Sequence, residues 1–436
     1  MANTHAALGY GRMAARREKV SRWESGRIAP ELTAQLTIAH IHKVPQMEVM
    51  RLGWPDWLYL AAGAQSLVGL PWTAQAAAQA LREGTRARPA QPQSFLVVTG
   101  GAITTLIRDW LTALDNSPSP MRGGPHIHAD AVGALESRAG ALSEMETQLG
   151  PALLGPVAHA ECQLLAKLLS EVGYDEDSGV RLHLLASGIS HLCSRLNYVT
   201  GDQAGAERLL LAAVRTATTA GAPQTAAALI ATLASHHMDI GDPRDGFALA
   251  DAAWAVARRT TAPHRLVALL HICEARGYAR LRAETTSACA FSAAAGALAL
   301  GPAAHEPPVA DWVTMETLEL NVGASLLDLG QPARALDHLA ALMIPTQDGG
   351  PAPGLRALYL PRLAKAQLAV GDVETALQSA RTALGLLEPA PAHRDATREF
   401  RHMFAPYCRN AAVRDFLDLC AVPPGAPPHE PSKDAS

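Results

Sequence analysis

Gly201-Asp202, Gly241-Asp242, Gly330-Gln331 and Gly371-Asp372 punctuate the second half of the chain at intervals of about 40 residues. Each follows an apolar helical stretch and precedes another. Five positions after each glycine stands a small residue: Ala206, Gly246, Ala335 and Ala376. A degenerate copy falls near Ala283, with Ala288 in the small position, and PTQDGGPAPG adds a loop between the last two copies. Glycine can take the left-handed backbone that ends a helix. The small residue lets the next helix cross the first closely. Each pair then buries its apolar stripe only by stacking on its neighbours, which predicts a superhelical array with a concave face.

Composition supports an all-α chain. Its 436 residues are too many for one ordinary core. Alanine and leucine, strong helix formers, dominate, while aromatics are only 5%. The order read from the sequence is a basic helical unit over 1–60, a Gly/Pro/Ala/Gln-rich linker with a short helix (TAQAAAQALREG) over 61–94, and connecting helices over 95–151. The repeats follow over 152–421, with a disordered tail over 422–436. The six cysteines (162, 193, 273, 289, 408 and 420) have no CxxC or zinc-ribbon spacing and read as small buried hydrophobes in a reducing compartment. The apolar stretch from Phe95 meets Arg108 and Asp109 before it could span a bilayer, and charges follow the first apolar run at once. The expectation is a cytoplasmic protein with no membrane partner.

Charge is distributed unevenly. The net charge is −4, yet residues 1–51 carry eight Arg or Lys against four Glu, so this segment is +4 and the remainder −8. A basic end on an acidic body suggests that the end alone meets a polyanion. Within it lies VSRWESGRIAP, Val20 to Pro30. Val20 and Trp23 share a helix face, Gly26 can stop that helix, and Pro30 precedes a second helix, ELTAQLTIAHIH; QMEVMRLG adds a third. A short helix with a basic exposed face suits the DNA major groove.

This stretch resembles the recognition half of the Cro/repressor-type (XRE-like) helix-turn-helix family. The resemblance implies that Ser21 and Arg22 reach base edges and that Lys19 and Arg27 bind phosphate, with Arg16 and Arg17 in the same DNA-binding set. It places Val20, Trp23 and Ile28 in the core, and HAALGYGR stands for the helix before the turn. The family has a further full helix before that one, which the chain starts too late to supply. RMAARREK is also longer and more charged than a tight turn. The repeats resemble tetratricopeptide repeats, best at LYLPRLAKAQLAVGDVETALQSARTALGLLE. With RLGWPDWLYL and the stretch from Pro307 to Leu339, the chain looks like transcriptional regulators of high-GC bacteria that join the two units.

In tetratricopeptide pairs the first helix lines the concave side. That places His191, Arg195, Tyr198, Ser235, Met238, Asp239, Arg276, Arg280 and Lys365 along a groove for a peptide or small ligand, a carboxylate held by Arg. TGGAIT lacks a phosphate-cradle pattern and reads as a helix start. His126, His128 and Asp130, and His236-His237 near Asp239 and Asp242, are candidate metal ligands but read better as loop or packing histidines. Glu144 with Glu146, and Glu316 with Glu319, read as solvated faces. No nucleophile–base order stands out, so neither enzyme activity nor a cofactor or metal is expected. The expected function is a homodimeric regulator that binds double-stranded operator DNA and senses an effector. The alternative is a tetratricopeptide interaction scaffold with a vestigial DNA-binding unit.

Overall fold

A computed structural model describes residues 1–13, 17–24, 28–42, 44–54, 57, 67–86, 96–116, 119–259, 261–387 and 392–420. The chain is all-helical. Among the described residues the only β pairings are isolated bridges, Arg122 with Tyr174 and His126 with Gly173. The first helices are α1 (Ala2–Ala7), α2 (Arg17–Glu24), α3 (Leu32–Ile41) and α4 (Gln46–Leu52). Next come α5 (Ala74–Thr85), α6 (Gly101–Asn116), α7 (Ala129–Glu146) and α8 (Pro151–Glu171).

Five helix pairs follow. They are α9 (Glu176–Val199) with α10 (Gln203–Thr219), α11 (Pro223–Asp239) with α12 (Pro243–Ala257), and α13 (His264–Arg280) with α14 (Glu284–Ala299). Then come α15 (Met315–Asp328) with α16 (Pro332–Leu339), and α17 (Pro353–Ala369) with α18 (Val373–Leu387). The helices α19 (Ala392–Phe404) and α20 (Ala411–Leu419) close the series.

The local chemistry explains the pairs. Gly201, Gly330 and Gly371 have φ of +86°, +80° and +88°, the left-handed turn that ends a helix. Gly241 answers a different need: a Cβ there would lie 2.8 Å from His237 Nδ1. In the degenerate copy the left-handed residue is Arg282, at φ +62°. Counting five on from it gives buried Ser287, not Ala288, which is exposed. Ser287 crosses closely by donating its hydroxyl to the Ala275 carbonyl at 2.8 Å. Proline opens α11, α12, α16 and α17, where its missing N–H would have no helical acceptor. The side chains of Asp202 and Asp242 cap α10 and α12.

The first helices pack in sequence, α11 on α13, α13 on α15 and α15 on α17, and α17 returns to touch α9. One apolar core runs from Leu67 to Leu318 and a second from Leu320 to Cys420. The helix expected within 61–94 belongs to the first core: α5 buries Ala76, Ala77, Ala80 and Leu81 and packs on α8 and α10. RARPAQPQ beyond its first residue and the tail 422–436 lie outside the described residues. All six cysteines are free, but Cys289 and Cys408 are exposed rather than buried. Among the described residues no helix is long and apolar enough to cross a membrane.

The N-terminal unit departs from the expected core. Trp23 is buried, but Val20 and Ile28 are exposed. Its buried cluster is instead Leu36, Ala39, Val44, Val49 and Trp57, closed by Val97 and by Ala204 of α10. Distant residues replace the local ones because three short helices alone bury too little apolar surface.

Met238 shows how closely the pairs cross. It is fully buried, and a Cβ on Gly277 would lie 2.6 Å from its sulfur and 2.7 Å from Phe247 Cζ. Gly277→Val is expected to cost about 1–3 kcal/mol by overpacking, read as a lowered thermal midpoint. With Met238→Ala added, the combined loss should be less than the sum of the two single losses; strict additivity would show that the sulfur does not set this spacing.

Candidate functional site

Helical spacing gathers polar side chains on the inner faces of the first helices. On α11, Thr232, Ser235, His236 and Asp239 are spaced i, i+3, i+4 and i+7, one face of the helix. On α17, Leu355, Leu358, Tyr359 and Arg362 repeat that spacing. Where α17 meets α9, residues of these faces, Arg362 excepted, line a partly open pocket of about 350 Å³. Arg195, Tyr198 and Val199 of α9, Ile272 and Arg276 of α13, and Thr317 and Asn321 of α15 complete its walls. Trp312 and Glu146 lie at its outer end. The size falls in the range of small-molecule sites.

Asp239 is the node of the inner end. It accepts from Tyr198 Oη at 2.9 Å, from both terminal nitrogens of Arg276 (Nη1 at 2.9 Å), and from Arg362 Nη2 at 2.9 Å. Arg362 Nη1 also donates to the Leu358 carbonyl at 3.3 Å. Burial pushes the Tyr198 hydroxyl up, so it stays a donor, and pulls the Arg276 guanidinium down. His236 stacks on Tyr198, ring centroids 4.1 Å apart. Burial, with help from His237 and Arg276, pushes His236 down to about 3, so it is neutral at pH 7. At the outer end Arg195 pairs with Glu146, whose carboxyl burial pushes up against the arginine's pull. Among the described residues, the buried atoms His236 Nδ1, His191 Nε2, Arg195 Nε and Trp312 Nε1 have no hydrogen-bond partner.

The structure sorts the groove residues expected from the sequence. Arg195, Tyr198, Ser235, Asp239 and Arg276 line the cavity. His191 is buried behind them, held neutral by burial and by Arg195. Met238, one position from Asp239 and so about 100° around the helix, packs in the core instead. Arg280 Nη1 donates to the carbonyls of His237, Met238 and Gly241, capping the end of α11. Lys365 is exposed. The inward cation of α17 is Arg362, within the quoted repeat but not singled out there.

His236 and His237 diverge: His236 faces the cavity, and His237 Nε2 lies 3.9 Å from Glu207 on the other side. Among the described residues no three His, Cys, Asp or Glu are placed to hold a metal. Gly101 starts α6.

The DNA-directed residues are only partly placed. Arg16 and Arg27 lie outside the described residues, as do the side chains of Arg17 and Ser21. Arg22 is exposed on α2. Lys19 pairs with Glu31 at 3.1 Å and lies 5.6 Å from the Trp23 ring centroid.

A second constellation was not read from the sequence. Ser187, Ser190 and Ser194 of α9 donate to carbonyls of α10 at 3.0, 2.7 and 2.7 Å. On α10, fully buried Glu207 accepts from the amides of Val97 (2.6 Å) and Val98 (3.2 Å). Burial pushes its carboxyl up to about 8. Arg215 donates to the carbonyls of Leu67 (2.7 Å) and Pro71 (3.1 Å) and lies 4.3 Å from the centroid of the Trp72 ring. Glu207 and Arg215 of α10 therefore grip the two segments that lead from the N-terminal unit.

Removing the Asp239 charge leaves two guanidiniums close together and unpaired. Asp239→Asn is expected to cost about 3–5 kcal/mol, measured by thermal or denaturant unfolding. A loss under about 1 kcal/mol would mean that the carboxylate does not hold the arginines. The histidines set a pH dependence. His183, His236 and His237 titrate near 4, 3 and 4 when folded, against an ordinary value of 6.5. Their contribution is present above pH 6.5 and is lost as pH falls toward 4. The raised Glu207 carboxyl has the opposite sign, its contribution being lost as pH rises through about 8. Three protons against one decide the acid limb: the thermal midpoint should fall from pH 6.5 to 4.5, and His236→Gln should flatten that fall.

No family model matches the chain, and no curated protein or solved structure does either.

Proposed function

We propose that the chain is a DNA-binding transcriptional regulator of the cytoplasm. In this reading residues 1–60 form the helix-turn-helix unit, with α2 as its recognition helix. Residues 152–421 form a tetratricopeptide-like solenoid that senses a peptide or small effector. The observation that carries it is the cavity together with its physical link to the N-terminal segments. The cavity wall α9 is joined by three serine hydroxyls to α10. Buried Glu207 and Arg215 of α10 hold residues 97–98 and 67–71. Ala204 at the start of α10 joins the core of the N-terminal unit itself. A ligand that moves α9 therefore acts on the base on which α3 and α4 rest. It shifts DNA affinity only by its differential affinity for the two arrangements.

One short recognition helix makes few base contacts. A homodimer presenting two such helices about 34 Å apart on one DNA face supplies enough. The Lys19–Glu31 ion pair lies within the unit, so that cation is not engaged by the acidic body.

A second reading has an observation of its own. Ile28, Met47 and Met50 are exposed on the N-terminal unit, Met47 by 80%. An apolar surface of this kind suits a protein partner, as in an interaction scaffold. Fluorescence anisotropy on genomic operator fragments separates the two. With about four phosphate contacts per subunit, log affinity should fall with log salt at a slope of about −7. Arg22→Ala should relax sequence preference at a cost of about 1–3 kcal/mol. A flat salt response would remove the regulator reading and leave the scaffold.

A further inference from the structure

We propose that the cavity takes one small monoanionic amphiphile, its carboxylate-type head at the Arg276–Arg362 end and its apolar body toward Trp312. The proposal rests on the reading of the helical array as a ligand-sensing unit, and it names the ligand's chemistry.

Charge pairing around the walls is uneven. Arg195 is matched by Glu146, and Asp311 by Arg265. Glu316 also lines the cavity but is exposed to solvent. At the inner end Arg276 and Arg362 share the single carboxylate of Asp239. That leaves one positive charge in excess beside Arg276 and Asp239, each 7% exposed; the second cation, Arg362, is 28% exposed and reaches the pocket only through Asp239. Asp328, near Arg276, is exposed and so screened by water. Exposed Lys365, one turn on from Arg362, is screened by water in the same way. His236 is neutral and balances nothing. Two guanidiniums that share one carboxylate leave hydrogen-bonding and charge capacity that a bound anion can take up.

The unpartnered atoms point the same way. Arg195 Nε and Trp312 Nε1 are donors only, and both are buried at residues that line the cavity. His236 Nδ1 adds a third site that can donate. A cationic ligand would bring more donors and more positive charge. A hydrocarbon would satisfy none of them. A carboxylate answers the charge and adds no donors of its own.

Size and walls set the rest. Val199, Ile272, Leu355 and Leu358 give the cavity an apolar middle. At about 350 Å³ it matches a compact molecule in size.

The test is calorimetric titration of the full chain with three isosteric probes: 4-phenylbutanoate, 4-phenylbutanamide and 4-phenylbutylamine. The acid is expected to bind roughly tenfold or more tightly than the amide, and the amine not measurably. Arg362→Gln leaves Asp239 paired with Arg276 and Tyr198. It should lower acid affinity far more than amide affinity, erasing the acid's advantage. Leu358→Trp, which fills the apolar middle, should abolish binding of both acid and amide. Equal binding of acid and amide, tighter binding of the amine, no acid binding at about 1 mM, or an acid preference that survives Arg362→Gln would each overturn the proposal. The titration contains no DNA. Acid binding without any change in operator affinity would leave the ligand class standing and remove the regulator reading; an operator response with no preference for the acid would do the reverse.

Discussion

Four first helices converge on the carboxylate of Asp239. It belongs to α11 and is held by Tyr198 of α9, Arg276 of α13 and Arg362 of α17. Burying a lone carboxylate costs several kcal/mol, so this position is tolerable only while those donors are in place. The same requirement fixes the curvature of the array. Arg362 lies 123 residues from Asp239 in the chain, and the two meet only if the helix pairs bend far enough to bring α17 back to α9. Formation of the cavity and satisfaction of this carboxylate are therefore one event. A flatter stack of the same helices would have an open concave face and a stranded charge.

The outer helices use buried charge for a second purpose. Glu207 and Arg215 sit on α10, two turns or so apart, and both spend their hydrogen bonds on backbone of segments far away in the chain. Main-chain groups in such connecting segments have no helix or strand to satisfy them, and burying them bare is costly. A polar side chain on a rigid helix, Glu207 for the amides and Arg215 for the carbonyls, solves that and fixes where the N-terminal unit joins the body. The three serine bonds from α9 to α10 make the intervening layer short and stiff. Contiguity of this kind is a route for coupling; its magnitude is a matter of differential affinity.

What the sequence made legible follows from locality. The glycine-and-small-residue punctuation marks helix pairs because the left-handed turn and the close crossing are set within about ten residues. Arg195, Tyr198 and Arg276 were readable as inward positions because the resemblance to tetratricopeptide pairs puts the first helix of each on the inner side. Met238 was not, because neighbours on a helix face different ways and either one of Met238 and Asp239 could have been the inner residue. Arg362 follows Pro361 inside α17, and its inward direction depends on the contact of α17 with α9, which no local pattern encodes. Val20 and Ile28 were misplaced for a similar reason. Their local spacing fits a small core, yet the cluster that forms recruits Val97 and Ala204 from elsewhere in the chain. Glu207 gave no signal because its partners are backbone amides about 110 residues away.

The excess charge at the inner end ties these observations together. The arginines of α13 and α17 attract Asp239 but repel each other, so the contact that closes the ring also stores some opposition to closing. An anion seated between them would remove that opposition and favour the closed arrangement. By linkage, any group that binds the closed array better than the open one stabilises it in proportion to the difference. The closed array is also the one in which α9, and through it α10, is held against the inner helices. An imperfectly neutralised node is thus a poor choice for maximal stability.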